Sequence, residues 1–261
     1  MRNRLFFAGT VMILSASIVF AGKKKNANWI DEPFTQWTQK QVSELFNKSA
    51  WAKTKSFRGQ VANVNGAGAA SAAEHGGGAG SYGTGGSVTQ GVDVPDYTFT
   101  ARFLSALPIR EAYVRMLEIM NHYKTMPAAR QKEFDQKVDG LLHADVSQEV
   151  TITLYFQAND PVSQRNLNEW FNTQTTDTLK QNAYLYTPAG QVPLLKYLPP
   201  SEGGGLGARF VFARTFNGEP ILEPTAKGRV RFQLSYQPQI NQMMYIDFKP
   251  EDMIYKGQLS Y

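Results

Sequence analysis

Several stretches of the chain alternate between apolar and polar side chains, the pattern of a β-strand with one buried face. The clearest covers residues 149–157, with an apolar side chain at every second position from Val150 to Phe156. Residues 96–104 and 228–236 repeat the alternation. Shorter extended segments bounded by turn residues are predicted at 54–61, 183–187, 192–198, 209–216, 243–248 and 253–259.

Helical spacing of apolar residues appears mainly in the first half of the chain. Thr38 and Gln41 have the spacing of a capping box and predict a helix that starts between them. Pro108 and Pro127 predict the starts of two further helices, and Asp160 followed by Pro161 predicts a fourth. The apolar stripe of the helix at Pro108 is predicted to be Ile109, Ala112, Tyr113, Met116, Leu117, Met120 and Tyr123.

The order of these segments predicts an α+β fold. Short strands joined by turn-rich connections favour antiparallel pairing, and the helices are segregated from most of the strands. We expect an antiparallel sheet of about six to eight strands with helices packed on one face. The alternative is a β-sandwich that carries a helical insertion over residues 108–142.

Residues 1–21 have the layout of a secretory signal peptide. Arg2 and Arg4 precede an apolar run over residues 5–20, and Val19 and Ala21 stand at the positions that signal peptidase reads. We expect cleavage after Ala21 and export to the periplasm or the cell exterior, with no membrane span left in the mature protein.

Three lysines leave an alternative open. Lys23, Lys24 and Lys25 follow the predicted cleavage site, on the side that must cross the membrane. Positive charge is normally retained in the cytoplasm, so this triplet opposes the effect of Arg2 and Arg4. A protein anchored in the membrane by its amino-terminal segment is the alternative.

Residues 62–91 differ in composition from the rest of the chain. They contain ten glycines and seven alanines, with almost no apolar side chain large enough to build a core. Glycine loses the most backbone entropy on ordering, so we expect a flexible or disordered loop. The predicted organisation is a signal peptide at 1–21, an amino-terminal helical segment and first strand at 22–61, the loop at 62–91, and a main α+β domain at 92–261 that is continuous with 29–61.

Charge and cysteine content exclude several classes of protein. The net charge of +5 falls to +3 when Arg2 and Arg4 are removed, and Lys23, Lys24 and Lys25 account for that remainder. A nucleic-acid-binding protein is expected to show a continuous basic face, and this near-neutral body predicts none. The chain has no cysteine, which excludes disulfides, thiolate metal sites and a cysteine nucleophile.

The remaining residues give little sign of catalysis. His122 follows Glu118 by one helical turn, a spacing more typical of surface pairing than of a metal site. Serine-hydrolase and zinc-protease motifs are absent from the sequence, and we expect no catalytic residue, cofactor or metal. A glycosidase-type carboxylate pair needs no local motif and stays open. Its candidates are Asp160, Asp177, Glu202, Glu219, Glu223, Asp247, Glu251 and Asp252.

Aromatic residues are the candidate binding groups. Trp29, Trp37 and Trp51 lie close together in the first mature segment, and Tyr82 lies in the glycine-rich loop. Exposed aromatic rings stack on sugars or anchor partner proteins. The alternative is that Trp37 and Trp51 pack the amino-terminal helix against the sheet.

Packing and turn motifs at both ends of the chain resemble a group of secreted bacterial proteins of unknown function. The motifs are Trp37 and Thr38 through Val42, Leu45 with residues 49–53, Ser105 through Ala112, and residues 248–259. The resemblance implies one exported globular domain and brings no activity with it. We therefore expect a non-enzymatic binding or structural module of the bacterial cell envelope, with an envelope protein or polymer as its partner. A hydrolase of envelope glycans or peptides is the alternative.

Overall fold

The computed structural model describes residues 28–58, 96–203, 205–236 and 242–261. The helices are α1 (Gln39–Lys48), α2 (Leu107–Met120), α3 (Ala128–Leu142), α4 (Pro161–Thr173) and α5 (Thr176–Leu179). The main strands are β1 (Ala52–Arg58), β2 (Asp96–Phe103), β3 (Glu149–Ala158), β4 (Ala183–Thr187), β5 (Gly190–Leu198) and β6 (Ala208–Ala213). The remaining strands are β7 (Thr215–Phe216), β8 (Glu219–Pro220), β9 (Val230–Tyr236), β10 (Gln242–Phe248), β11 (Ile254–Tyr255) and β12 (Gln258–Leu259).

Within these residues the main sheet has eight antiparallel strands in the order β1-β2-β3-β6-β5-β4-β9-β10. The sheet curves until it is nearly a barrel, with the helices at one face. Its two edge strands, β1 and β10, approach each other. Lys55 Nζ of β1 donates to the backbone oxygen of Tyr245 on β10 at 3.3 Å. The predicted α+β class is confirmed, including the antiparallel pairing and the number of strands.

The inner face of the sheet forms one hydrophobic core. Phe103 packs edge-on against Phe248 with ring centroids 4.8 Å apart, and Phe210 packs against Phe232 at 5.0 Å. All four rings are completely buried. Because burying a large apolar side chain stabilises a fold by about 1.5–3 kcal/mol, these alternating positions determine which face of each strand is inside.

The predicted helix starts are confirmed, and two of them, at α1 and α4, are capped by side-chain hydrogen bonds. The backbone amide of Gln41 donates to Thr38 Oγ1 at 3.3 Å, while Gln41 Oε1 accepts from the Thr38 backbone amide at 2.7 Å. At α4, Asp160 Oδ1 accepts from the Ser163 amide at 2.8 Å. These bonds satisfy amides that the first helical turn leaves without a helical partner.

The buried side of α2 differs from its predicted apolar stripe. Met120 is 67% exposed, whereas Arg110, Glu111, Arg115 and Glu118 are buried. The charged residues are accommodated because they find hydrogen-bond partners in the neighbouring segments, as described below. Arg115 pairs with Glu118 on the same helix, but the other partners come from segments distant in sequence, which apolar periodicity alone could not reveal.

Several predictions concern residues outside the described part of the chain. They are the signal peptide at 1–21, the alternative of an amino-terminal membrane anchor with Lys23, Lys24 and Lys25, the loop at 62–91, and the binding residue Tyr82. Among the described residues, none of the helices has both the length and the apolar character needed to span a bilayer.

Candidate functional site

The three predicted tryptophans lie close together, but they differ in exposure. Trp37 is completely buried, and its ring packs edge-on against Trp29 at 5.8 Å. Trp29 is only half-buried. Trp37 therefore packs the segment before α1 into the core, whereas part of Trp29 can meet a ligand.

Trp51 lies between α1 and β1 and is held from two directions. Its Nε1 donates to the backbone oxygen of Ser260 at 2.7 Å, and its ring packs edge-on against Tyr255 at 6.1 Å. Only 1% of Trp51 is exposed. The indole is fixed by the carboxyl-terminal segment and forms a rigid wall.

Trp29 and Trp51 line the same cleft, which we call the Trp29 cleft. It has a volume of about 250 Å³ and lies between the end of α1, the start of β1 and the turn before β11. Its remaining lining residues are Ile30, Glu44, Leu45, Lys48, Ser49, Ala50, Lys53 and Asp252. Two of the predicted binding residues are thus brought together beside four ionisable side chains.

The charges in the Trp29 cleft come from three elements. Glu44 and Lys48 are exposed on α1, Lys53 is half-buried on β1, and Asp252 is in the turn before β11. Burial lowers the pKa of Lys53; the negative charge of Asp252 opposes this effect and the positive charge of Lys249 adds to it. A partly desolvated ammonium group interacts more strongly with an incoming anion than a fully solvated one does.

The chain that forms the cleft wall is tied by local hydrogen bonds. The Ser49 hydroxyl donates to the backbone oxygen of Leu45 at 2.7 Å, and the Trp51 amide donates to Ser49 Oγ at 3.2 Å. This arrangement ends α1 and turns the chain directly into β1. The turn keeps Lys53 of β1 beside the last turn of α1.

A polar cluster around the buried Glu111 carboxylate contacts Trp51 through the ring of Tyr255. The Tyr255 hydroxyl donates to the buried carboxylate of Glu111, which also accepts from Lys256 Nζ at 3.2 Å. Burial raises the pKa of Tyr255 well above its ordinary value, and the bond to Glu111 adds to the shift. The tyrosine therefore stays protonated and holds its ring against Trp51.

A second cleft of about 380 Å³ lies between β3, α4 and the loop before β6. Its polar lining includes Tyr155, Gln157, Gln164 and Asn168. Gln164 is already engaged, since its Oε1 accepts from the Ala158 amide at 2.8 Å and its Nε2 donates to Asn168 at 3.2 Å. This cleft therefore offers fewer free polar groups than the Trp29 cleft.

The Glu118–His122 spacing leads to no metal site in the described ranges. Glu118 accepts from Arg115 Nη1 at 2.7 Å, and His122 begins a turn with a left-handed backbone. No cluster of three or more histidine or carboxylate side chains among the described residues is placed to hold a metal ion.

The predicted carboxylate candidates are dispersed. Asp160 caps α4, Asp177 pairs with Lys180 at 2.9 Å, and Asp247 pairs with Arg231 at 2.8 Å. Asp252 alone among the eight candidates lines the Trp29 cleft, together with Glu44. Local sequence patterns did not indicate Glu44, Lys48 or Lys53 as site residues, because only the return of the chain near residue 252 completes the cleft.

The arrangement combines an indole surface with two ammonium groups and two carboxylates. Such a lining complements a ligand that carries both charge signs beside an apolar or sugar surface. No family model matches the sequence, and no curated protein or solved structure matches it. The function is therefore inferred from the chemistry of the cleft.

Proposed function

We propose that the protein is an exported, non-enzymatic binding module of the bacterial cell envelope, with its ligand seated in the Trp29 cleft. The observation that carries this proposal is the meeting of Trp29, two lysines and two carboxylates in one rigid cleft. The signal-peptide pattern of residues 1–21 supports the location.

Each part of the cleft has a role in this proposal. Lys48 and Lys53 attract a carboxylate of the ligand, and Glu44 and Asp252 attract an ammonium group. The half-buried ring of Trp29 packs against an apolar or sugar surface between the two charges. Envelope peptides attached to glycans carry all three features, so peptidoglycan is the first material to test.

Co-sedimentation with purified peptidoglycan tests the proposal. We expect the wild-type protein to sediment with the polymer and Lys53→Met to bind about tenfold more weakly, the loss of one charged hydrogen bond. Trp29→Ala should also weaken binding, with a thermal melt to verify folding. Lys137→Met is the matched control, because Lys137 is exposed on α3, away from the cleft.

Two results would contradict the proposal. The proposed binding function would be excluded if neither the wild-type protein nor its variants retained peptidoglycan or solubilised envelope proteins. An equal loss in Lys137→Met and Lys53→Met would show that net charge, and not the cleft, governs binding.

Cell fractionation tests the location. We expect the mature protein to begin at Gly22 and to appear in the soluble periplasmic or extracellular fraction. Amino-terminal sequencing of the exported form measures this directly. Recovery of the intact Met1 terminus in membranes would favour the anchored alternative.

A hydrolase of envelope glycans or peptides is the second candidate. The observation in its favour is that Glu44 and Asp252 line one cleft beside Trp29, as a carboxylate pair would. Release of reducing sugar ends or free amines from peptidoglycan measures hydrolysis. Turnover by the wild-type protein that is lost in both Glu44→Gln and Asp252→Asn would replace the binding proposal with this one.

A further inference from the structure

A second surface lies on β4, β9 and β10, on elements that do not form the Trp29 cleft. On one face of these strands Leu185, Phe232 and Ile246 are paired and buried in the core. The other face carries two cross-strand rows of polar and aromatic residues. The rows are Tyr186–Arg231–Asp247 and Tyr184–Gln233–Tyr245.

Positive charge exceeds negative charge on this face. Asp247 accepts from Arg231 at 2.8 Å and 3.3 Å, so this pair is bidentate. The same carboxylate is 3.5 Å from Arg229, whose side chain is 63% exposed. One carboxylate thus pairs with two guanidinium groups, and most of the Arg229 side chain remains exposed to solvent.

Cations also lie over the aromatic ring of Tyr245. Lys55 Nζ is 3.5 Å from its centroid, and the Arg231 guanidinium carbon is 4.4 Å from it. The tyrosine is nevertheless 40% exposed. Cation–π contacts of this kind fix the ring and the charges relative to one another, so the face is organised before a ligand arrives.

A groove of about 410 Å³ runs along this face. It is lined by Tyr186, Arg229, Arg231 and Gln233, and the Tyr184 ring is 6.2 Å from the Tyr186 ring. The volume falls in the range of ordinary ligand sites, about 300–1,000 Å³. We propose that this groove binds an acidic polysaccharide, with a sugar carboxylate on Arg229 and sugar rings against Tyr184 and Tyr186.

The side chains match that ligand class. Guanidinium groups recognise carboxylates through paired hydrogen bonds, and Arg229 has donors available for this. Tyrosine presents an apolar ring face for a sugar and a hydroxyl for its polar edge. Gln233 adds an amide that can both donate to and accept from sugar hydroxyls.

A nucleic acid is the less fitting polymer. Binding of a single strand relies on a positively charged groove that follows many phosphates. Here the described groove and its rim hold three cations, Lys55, Arg229 and Arg231, against one carboxylate, Asp247. This modest excess suits a polymer with one carboxylate per sugar and a hydroxyl-rich surface.

Isothermal titration with defined hexamers tests the proposal. The probes are an oligogalacturonate, the neutral oligosaccharide maltohexaose and single-stranded oligothymidylate. We expect the oligogalacturonate to bind and the neutral sugar to bind at least about tenfold more weakly. Arg229→Gln should weaken oligogalacturonate binding about tenfold, and Arg229→Lys should restore part of it.

The ring contribution is tested with Tyr186→Ala and Tyr186→Phe. We expect the alanine variant to lose affinity and the phenylalanine variant to keep most of it, since the ring face is retained. Arg130→Gln is the matched control, because Arg130 is an exposed arginine on α3. Thermal melts of all variants show whether a loss of binding reflects a loss of fold.

Three outcomes would overturn the proposal. The first is absence of oligogalacturonate binding by the wild-type protein. The second is an equal effect of Arg130→Gln and Arg229→Gln, which would indicate non-specific attraction. The third is tighter binding of the oligothymidylate than of the oligogalacturonate, which would assign the groove to nucleic acid.

Discussion

The arginines of β2 and α2 differ from those at β9 in what their guanidinium groups contact. Arg102 Nε donates to the backbone oxygen of Phe46 at 2.7 Å, and Arg115 Nε donates to that of Trp37 at 2.8 Å. Arg110 donates to three backbone oxygens around the end of α3. All three are buried, and each ties a separate segment to the core.

At β9, by contrast, the guanidinium groups are directed to side chains and solvent. Arg231 pairs with Asp247, and Arg229 is mostly exposed beside tyrosines. The same residue type is therefore structural in the first region and available for recognition in the second. The difference follows from the partners, since a buried guanidinium must have acceptors whereas an exposed one can exchange water for a ligand.

Removing a buried arginine should have the largest effect on stability. Burial lowers the pKa of Arg102 to about 10, because it removes the guanidinium group from water. Arg102→Ala leaves the Phe46 oxygen without this donor and opens a cavity. We expect the free energy of unfolding to fall by about 3 kcal/mol, measured by urea denaturation. A change below about 1 kcal/mol would contradict the structural role.

A shortened connection between β1 and β2 tests whether the packing around these strands maintains stability without residues 59–95. Arg58 and Asp96 are paired across the two strands, so a turn of about four residues can replace residues 59–95. Because the composition of residues 62–91 predicts a flexible loop, shortening this connection about ninefold should reduce the loop-closure entropy and stabilise the protein by ~2 kcal/mol. A thermal melt measures the change, and a marked fall in melting temperature would show that residues 59–95 contribute contacts.

Asp160 gives a smaller, pH-dependent effect. The hydrogen bond from the Ser163 amide lowers the pKa of Asp160. Its contribution is therefore present above the ordinary aspartate pKa of about 3.9 and is lost as pH falls through the lower folded-state value. We expect Asp160→Ala to lower the melting temperature by a few degrees at neutral pH and to match the wild-type protein under strong acid. Asp160→Asn keeps a capping group and should reduce this pH dependence.

The smallest change is expected at Arg229. Exposed ion pairs contribute about 0–1 kcal/mol, and the Arg229–Asp247 contact is long. Arg229→Ala should change the free energy of unfolding by less than about 0.5 kcal/mol in the urea experiment used for Arg102. A loss as large as that of Arg102→Ala would remove the distinction between the two regions.

Local patterns predicted the main strands and the helix starts correctly, but the predicted segments 209–216 and 253–259 are each divided, into β6 and β7 and into β11 and β12. The alternation around Ile152 and Phe232, the capping box at Thr38 and the cap at Asp160 depend on neighbours in sequence. The buried charges of α2 were missed, because Glu111 meets Tyr255 from the opposite end of the chain. For the same reason, the sequence singled out Trp29, Trp51 and Asp252 separately but could not show that they line one cleft.

The tryptophan indole signals in a ¹H–¹⁵N NMR spectrum test the central claim most directly. The sequence has four tryptophans. Trp29 and Trp51 line the cleft, and Trp37 and Trp170 are not among its lining residues. On titration with a soluble peptidoglycan disaccharide peptide, we predict that the Trp29 signal moves most, that of Trp51 moves less, and those of Trp37 and Trp170 stay in place. An unchanged Trp29 signal at saturating peptide, or a larger shift at Trp170, would contradict ligand binding in the Trp29 cleft.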